Sequence, residues 1–320
     1  MVSTSIGGGN KIAMATLTVF TPAYNRAHTI WRTYESLCRQ TSKDFCWLII
    51  DDGSTDDSRQ LIASWIGEEH LTDHFSGQCP GGFFISYIWK ENGGLHTGYN
   101  TAYANIDTEL CVCIDSDDWM PDDAVEKIVQ CWEEKGSSRF AGIIGLDFDT
   151  QGKPLGGFFP DNLQETYFLD LYIDNIHRAD TKEVMRTDLM KQVAPQVGFE
   201  GEKNFNPVYM LLQVCDTYPL IVLNENLCIV EYQQDDSMSR GIYCQYMNSP
   251  RSFAKLRLLE MNLKRNTLKH KFRSAIHYVS SCLISKDRNW LRNASNKCMV
   301  LLAAPFGVIL SYYIKTKAKK

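Results

Sequence analysis

LCVCIDSDDW, residues Leu110–Trp119, is the stretch that decides the fold class. It begins with five apolar residues in succession and continues at once into three carboxylates within four residues. A short apolar run bounded by polar residues is typical of a strand buried in a sheet. Carboxylates this close repel one another, and a divalent cation with oxygen ligands is their natural partner. The stretch predicts a buried strand that delivers an acidic loop to one edge of a sheet; an exposed acidic turn is the alternative.

The residues before this stretch repeat the same pattern three times. Apolar runs at Leu17–Phe20, Trp47–Ile50 and Phe83–Trp89 each lead into a polar loop and then into a helical pattern. Strands that alternate with helices indicate β/α units around a mainly parallel sheet. Because ligands of open α/β sheets bind at the carboxyl ends of the strands, the polar loops are expected to form the site. We predict an α/β fold, with a mixed, mainly parallel sheet flanked by helices.

The second half of the chain is less regular. AGIIGLDFD and PLIVLNENLCIVEY are strand candidates, and a helical stretch follows Asn206. From Ser252 onward the pattern is helical and basic, and Cys298–Ile314 contains 17 residues without a charge, interrupted by Pro305 and Gly307. This length is at the lower limit for a membrane-spanning helix. A shallow re-entrant or interfacial segment is equally consistent with the Pro-Gly break, and so is a bent helix packed on the domain.

Composition excludes several classes of protein. With 44% hydrophobic and 12% aromatic residues, the 320-residue chain can bury a large core, which excludes intrinsic disorder. Residues 251–320 contain 16 Lys and Arg against two acids, a charge of +14, so residues 1–250 carry −19 of the total of −5. An acidic body argues against a nucleic-acid binder, and the basic tail suits an anionic membrane surface. Eleven cysteines without a C-x-x-C pair, and no recognisable signal peptide, favour a cytoplasmic protein.

Three further loops offer groups that could bind a nucleotide. Pro22 and Tyr24 in TPAYNR could shape a slot for a flat base, and Arg26 could clamp a phosphate. Asp52 in DDGSTDD could accept hydrogen bonds from a base or a ribose, whereas residues 54–57 suit a helix cap. ENGGLHTGYN precedes a helix whose N-terminus, with His96, could face a phosphate, although a structural histidine is the commoner case. Neither a P-loop nor a G-x-G-x-x-G fingerprint occurs.

TPAYNR, IIDDGSTDD, NGGLHTGYN and IDSDDWMPDD, in this order and spacing, resemble the inverting family 2 glycosyltransferases with the GT-A fold, as found in bacterial cell-surface polysaccharide synthesis. The resemblance covers about residues 15–245. It implies that Tyr24 and Asp52 hold the nucleoside and that Asp115 and Asp117 hold the ribose and a Mn²⁺ or Mg²⁺ ion. Asp118 is an alternative metal ligand, because DSDD allows two registers. The implied donor-binding residues are Pro22, Tyr24, Asn25, Arg26, Asp52, Gly94, His96, Asn100, Asp115, Ser116 and Arg240.

The resemblance also implies a general base on a later loop, often within an E-D pair. FEGEKNF lies at the right distance, but Lys203 stands where the second acid would be. Glu202 is therefore the first candidate for the base, with Glu200 as the alternative, and both could instead be surface acids. EYQQDDSMSR resembles the family's loop over the diphosphate, with Ser237, Ser239 and Arg240 as phosphate contacts.

These inferences divide the chain into an N-terminal extension (1–14), a catalytic domain (15–249) and a helical membrane-associating extension (250–320). Within the catalytic domain, residues 15–120 would bind the nucleotide and residues 121–249 the acceptor. The expected activity is transfer of a sugar from a nucleotide-diphosphate sugar to an acceptor hydroxyl, with a UDP-sugar as the donor that the resemblance implies and a lipid-linked saccharide at the inner face of the cell membrane as the expected acceptor. A nucleotidyltransferase that makes activated sugars and a non-catalytic sugar-nucleotide binder are the alternatives.

Overall fold

The computed structural model describes residues 15–231 and 241–318, and within them one mixed sheet organises the molecule. The strand order is β3-β4-β2-β1-β5-β8-β6-β9-β7. The strands are β1 (Leu17–Ala23), β2 (Phe45–Asp51), β3 (His74–Gln78), β4 (Phe84–Trp89), β5 (Leu110–Cys113), β6 (Gly142–Asp149), β7 (Glu165–Thr166), β8 (Thr181–Arg186) and β9 (Leu220–Val230).

Helices cover both faces of this sheet and continue beyond it at the C-terminal end. They are α1 (Ile30–Arg39), α2 (Ser58–Trp65), α3 (Leu95–Asn105), α4 (Ala124–Lys135), α5 (Phe168–Ile173), α6 (Thr187–Val193), α7 (Val208–Cys215), α8 (Ile242–Asn248), α9 (Pro250–Asn262), α10 (Leu268–Ser285), α11 (Trp290–Asn293) and α12 (Lys297–Lys317). The predicted α/β class, with a mainly parallel sheet between helices, is confirmed.

The four strands predicted from apolar runs form the central parallel part of the sheet. β1 pairs with β2 and β5, and β2 pairs with β4, all in parallel. The register sets Ala23 beside Asp51 and Asp51 beside Trp89, so three of the polar loops begin at one level. Every residue of β1 is buried, as expected of a strand covered on both faces. The predicted polar loops therefore do share one edge of the sheet.

Two apolar cores lie on the two faces of the sheet. Helices α1, α2 and α4 cover one face, with Ile30, Ile62 and Ile128 fully buried. Helices α3, α6 and α7 cover the other, and Leu256 of α9 and Leu263, which directly follows that helix, belong to this second core. The start of the C-terminal extension is therefore part of the interior.

Three strands were not predicted, namely β3, β8 and the two-residue β7. β3 forms an antiparallel hairpin with β4, and β8 lies between β5 and β6, antiparallel to both. The β8 sequence, TKEVMR, contains Val184 and Met185 as its only apolar residues, too few for an apolar run. Pairing on both sides overrides this weak local preference. Because β8 runs against its neighbours, its first residues lie at the edge where the parallel strands end.

Helix α12 continues through Pro305, so the predicted break at Pro305 and Gly307 is wrong. Its buried residues Val300, Ala303, Gly307, Ser311 and Ile314 recur at helical spacing and are mostly small. A Cβ at Gly307 would lie 2.6 Å from the side chain of Val279 in α10. The small residues therefore let α12 lie close against α10. This packing keeps the helix continuous despite the hydrogen bond that Pro305 cannot donate.

Candidate functional site

The loops that follow β1 and β2 bind each other at the open edge. Asn25 has a φ of +55°. Its N–H donates to Ser54 Oγ at 2.8 Å, and its Oδ1 accepts from the N–H of Thr55 at 2.8 Å. The left-handed backbone at Asn25 suits an asparagine, whose short side chain tolerates this conformation. This arrangement leaves the ring of Tyr24 49% exposed at the edge of the sheet.

The neighbours of Tyr24 in the TPAYNR loop lie in different surroundings. Pro22 is buried within β1, and a Cβ at Gly98 of α3 would lie 3.3 Å from it. Arg26 is half-buried and lies close enough to Asp115 for its positive charge to lower the pKa of that carboxyl. The structure therefore brings Arg26 to the acidic turn, while Pro22 supports the loop from below.

Asp52 organises the loop that precedes α3. Its carboxylate accepts hydrogen bonds from Lys90 Nζ at 2.5 Å, from the N–H of Gly93 at 3.0 Å and from the N–H of Gly94 at 2.8 Å. The residue is only 6% exposed. Asp52 lies at the predicted position, but in this structure protein donors occupy the oxygens that the prediction assigns to a nucleoside.

The ENGGLH loop packs against the FEGEK loop rather than facing solvent. Gly94 has a φ of +94°, and a Cβ there would lie 2.0 Å from the carbonyl oxygen of Lys203. His96 is buried, and a Cβ at Gly198 would lie 2.2 Å from its Nε2. Burial lowers the pKa of His96, which favours the neutral ring. His96 is thus an interior residue here, and the phosphate contact predicted for it has no open route in this structure.

Asn100 has a similar supporting position. Its Nδ2 donates to the carbonyl of Gln196 at 3.0 Å, and its Oδ1 accepts from the N–H of Gln196 at 2.7 Å. This pair of hydrogen bonds ties α3 to the segment that leads into the FEGEK loop. Asn100 was predicted to contact the donor, and the structure instead places its polar atoms on the protein backbone.

The carboxylates of the acidic turn after β5 differ in their exposure to solvent. The N–H of Asp118 donates to the carbonyl of Asp115 at 3.0 Å and closes the turn, while Thr33 Oγ1 donates to the carbonyl of Asp118 at 2.7 Å. Asp115 is exposed and Asp117 is half-buried, but Ser116 and Asp118 are 5% and 6% exposed. The two carboxylates of the predicted D-x-D pair are therefore those that solvent reaches.

Negative charge accumulates behind this turn. Burial raises the pKa of Asp118 to about 8 and the pKa of Asp147, on β6, to about 6. Desolvation by the surrounding protein also raises the pKa of Asp115, although this residue is exposed. Lys182 opposes all three shifts, and the acids reinforce one another's shifts. The site is thus short of positive charge.

Lys182 is a cation at this cluster, largely shielded from solvent, that the sequence did not predict. It lies at the start of β8, with its Nζ 3.8 Å from Asp147 Oδ1 and its side chain 12% exposed. The negative charges of Asp147, Asp118 and Asp115 raise the pKa of its ammonium well above the usual value, despite burial. No motif contains Lys182, and a correct prediction of β8 as a strand that enters this edge was the signal that could have revealed it.

Glu202 is fully engaged by the first turn of α9. Its Oε1 accepts from the N–H and Nε of Arg251 at 3.0 and 2.9 Å, and its Oε2 accepts from the N–H and Oγ of Ser252 at 2.8 and 2.7 Å. Glu202 is 6% exposed. A carboxylate at a helix N-terminus satisfies otherwise unpaired N–H groups and interacts favourably with the helix dipole. The geometry therefore gives Glu202 a structural function, since both of its oxygens are occupied by donors of α9.

Glu200 and Lys203 lie on the exposed side of the same loop. The side chain of Arg251 donates to the carbonyl of Glu200 and lies over the ring of Phe199 at 5.3 Å, while Glu200 itself is exposed. Lys203 Nζ donates to Asn92 Oδ1 at 2.6 Å. Lys203, the departure from the E-D pair, thus fastens this loop to the ENGG loop.

The end of β9 is fixed beside the acidic turn. Trp119 and Ile229 exchange backbone hydrogen bonds of 3.2 and 2.7 Å, and Arg32 pairs with Glu231 while its guanidinium lies 5.8 Å from the Trp119 ring centroid. β9 therefore ends beside the acidic turn. The predicted phosphate contacts Ser237, Ser239 and Arg240 fall within residues 232–240 and lie outside the described residues.

This chain is similar in sequence or in fold to several known proteins. GlyA, a glycosyltransferase of Streptococcus pneumoniae serotype 4, is 27% identical over 229 residues, 66% of this chain and 30% of that relative. TarS 1–349 of S. aureus in complex with UDP-GlcNAc superimposes with a TM-score of 0.58 at 16% identity, covering 95% of this chain and 88% of that one. The mannosyltransferase PcManGT from Pyrobaculum calidifontis, in complex with GDP-Man and Mn²⁺, gives 0.53 at 14% identity, covering 95% and 83%.

The solved structures therefore share the fold, while the curated relative is a longer protein of which this chain spans about a third. The family description Glycosyl transferase family 2 matches residues 18–192, which is more than half of the chain and includes β2, β4, β5 and all of β1 except Leu17. The matched range contains the exposed Tyr24, the Asp52 loop and the acidic turn, which lie together at one edge. The chain is a member of glycosyltransferase family 2.

Proposed function

We propose that this glycosyltransferase moves a sugar from a nucleotide-diphosphate sugar, with UDP as the nucleotide, to an acceptor hydroxyl with inversion at the anomeric carbon. The observation that carries the proposal is the meeting of three loops at one sheet edge: the exposed Tyr24, the Asp52-bound loop, and the Asp115–Asp118 turn. An aromatic face, a fixed loop and an acidic turn are what a base, a ribose and a metal-bound diphosphate require.

The acidic turn fits a divalent cation with oxygen ligands. Asp115 and Asp117 reach solvent, while burial, and after it the charge of neighbouring acids, raises the pKa values of Asp115 and Asp118. The described residues contain no group of three His, Cys, Asp or Glu placed to hold a metal. The protein would thus supply Asp115 and Asp117 and leave the remaining positions to water and the donor diphosphate, as is usual for Mg²⁺. When bound, Mn²⁺ or Mg²⁺ would offset the charge of the departing diphosphate.

Glu200 is the better candidate for the general base. Its side chain is exposed, whereas both oxygens of Glu202 already accept two hydrogen bonds each. In the proposed reaction Glu200 takes the proton of the acceptor hydroxyl. The acceptor oxygen then bonds to the anomeric carbon as the bond to the diphosphate oxygen breaks, and the electron pair leaves with the nucleoside diphosphate.

A transfer assay tests the proposal. The full chain is incubated with a panel of UDP-sugars and candidate acceptors, with Mn²⁺ or with EDTA, and release of nucleoside diphosphate is followed together with the anomeric configuration of the product by NMR. We expect metal-dependent release and an inverted product. If the donor binds but no acceptor in the panel, lipid-linked saccharides included, gives turnover, the chain is a non-catalytic sugar-nucleotide binder. A product with retained anomeric configuration would contradict the proposed mechanism.

A lipid-linked acceptor is the more specific part of the proposal, and it rests on α12. This helix is long and apolar enough to cross a membrane by length and composition. One of its faces packs on α10, but its other side is exposed and apolar, with Leu302, Ile309 and Tyr312 each 67–71% exposed. Lys297, Lys315 and Lys317 flank that side. An interfacial helix lying on an anionic leaflet, with its lysines among the head groups, fits this distribution, so we propose a peripheral protein at the cytoplasmic side.

We expect the full-length protein to float with anionic liposomes at low salt, and the triple variant Leu302→Glu/Ile309→Glu/Tyr312→Glu to remain in solution. Three carboxylates on the apolar side lose burial in lipid and repel anionic head groups, each nearby charge counting for about 1 kcal/mol. The matched control is Leu71→Glu, which changes an exposed leucine of the catalytic domain. A triple variant that floats as well as the wild type would remove α12 from the membrane contact.

A further inference from the structure

Lys182 belongs to the site described above, yet neither the motifs nor the family description gives it a function. It enters from β8, the strand between β5 and β6. Its Nζ lies 3.8 Å from Asp147 Oδ1, and the carboxylates of Asp118 and Asp115 lie within electrostatic range. The ammonium therefore stands on the inner side of the acidic turn, where the side chain is largely shielded from solvent.

Asp147 is held mainly by charge. Its side chain is 4% exposed, and its Oδ1 has no hydrogen-bond partner among the described residues. The 3.8 Å separation from Lys182 is longer than a hydrogen bond. A buried carboxylate oxygen without a donor is costly unless a cation is near. Without Lys182, this buried carboxylate would lose its ion-pair partner beside the turn.

Simple counting of formal charge shows what Lys182 does to the site. Asp115, Asp117, Asp118 and Asp147 bring four carboxylates, Lys182 brings one ammonium on the inner side, and Arg26 brings one guanidinium near Asp115. The ammonium sits with the buried Asp147, while Asp115 and Asp117 are the carboxylates that solvent reaches. An incoming divalent cation is thus repelled from the inner side and attracted to the outer side of the cluster.

We propose that Lys182 is a positioning residue for the divalent cation: its ammonium occupies the inner side of the cluster and confines Mn²⁺ or Mg²⁺ to Asp115 and Asp117, where a diphosphate can share it. The identity of the cation rests on the proposed function. Lys182 also keeps the protein's own affinity for the cation low, so that tight binding needs the nucleotide.

Metal binding to the full chain without donor sugar tests this inference. Mn²⁺ affinity is measured by electron paramagnetic resonance of free Mn²⁺, alone and with UDP, for the wild type, Lys182→Met and Lys182→Arg. We expect Lys182→Met to bind Mn²⁺ alone about tenfold more tightly, since one opposing charge is lost from a partly buried site. UDP should then tighten Mn²⁺ binding less than in the wild type. Lys182→Arg keeps the charge and should resemble the wild type.

A charge-restoring double variant is the matched control. Lys182→Met/Asp147→Asn removes one charge of each sign, and its Mn²⁺ affinity should return to within about threefold of the wild type. If thermal denaturation shows that Lys182→Met does not fold, the single variant Asp147→Asn is used instead. It leaves the ammonium of Lys182 without its carboxylate partner, so Mn²⁺ binding should weaken. Unchanged or weaker Mn²⁺ binding by folded Lys182→Met would overturn the inference, as would a wild type that binds no Mn²⁺ with or without UDP. Transfer activity is measured separately, so a chain that transfers sugar but fails these metal tests retains the proposed function.

Discussion

Glu200→Gln is expected to lower the turnover number at least about 100-fold and to leave the affinity for the sugar donor unchanged. An amide keeps the shape of the side chain but cannot take the acceptor proton, and general base catalysis typically contributes about 10²–10⁴ in rate. Glu200 is exposed on the FEGEK loop, so the variant should unfold at the wild-type temperature. Initial rates at saturating donor and acceptor, together with calorimetric titration of UDP, measure the two effects separately.

Glu202→Gln is the matched control, because it makes the same chemical change two residues away. In the glutamine, an NH₂ group replaces one of the two carboxylate oxygens. It would face two of the four hydrogen-bond donors of Arg251 and Ser252 and could not accept from them. Leaving such buried donors unpaired costs about 1–3 kcal/mol, so we expect a lower melting temperature and a smaller loss of turnover in the protein that remains folded. If Glu202→Gln instead lost turnover at unchanged stability while Glu200→Gln stayed active, the base would be Glu202.

Asp117→Asn should remove most of the Mn²⁺-dependent part of nucleotide affinity, at least about tenfold, without changing the fold. Asp117 is half-buried at the tip of the acidic turn, and its carboxylate can join a metal-bound diphosphate to the protein. The loss should vanish in EDTA, where the wild type and the variant should bind UDP equally weakly. Calorimetric titration of UDP in Mn²⁺ and in EDTA measures this difference.

Asp122→Asn provides the comparison, since Asp122 lies five residues further along and pairs with Arg39 at 3.0 Å on the surface. We expect it to bind UDP as the wild type does in both conditions. Wild-type UDP binding by Asp117→Asn in Mn²⁺, together with a large loss in Asp118→Asn, would shift the metal ligand to Asp118 and contradict the register chosen here.

Strong local patterns made the centre of the fold predictable. β1, β2, β4 and β5 are apolar runs that end in Gly-, Asn- or Asp-rich loops, and such runs have few alternatives to burial in a sheet. The edge at which Tyr24, Asp52 and Asp115 meet follows directly from their parallel pairing. Sequence spacing thus contained the location of the site.

The contacts within the site depended on partners far away in the chain and could not be predicted. Asn100 bonds to Gln196, 96 residues later, and Glu202 bonds to Arg251 and Ser252, about 50 residues later. A histidine near a helix start or an acid in a loop has the same sequence signature whether it faces a ligand or another loop. Lys182 was missed for a related reason, because only the pairing of β8 with strands on both sides brings it to the acids.

The hydrogen bonds between Glu202 and the start of α9 determine where the chain can be truncated. Cutting the chain before α9 would remove Arg251 and Ser252, so the FEGEK loop would lose the side chains that bind Glu202, and the second core would lose Leu256 and Leu263. Polar replacements on the exposed side of α12 change the apolar surface of the extension and leave these contacts intact. Soluble fragments that end near residue 249 should therefore not be used as stand-ins for the intact enzyme.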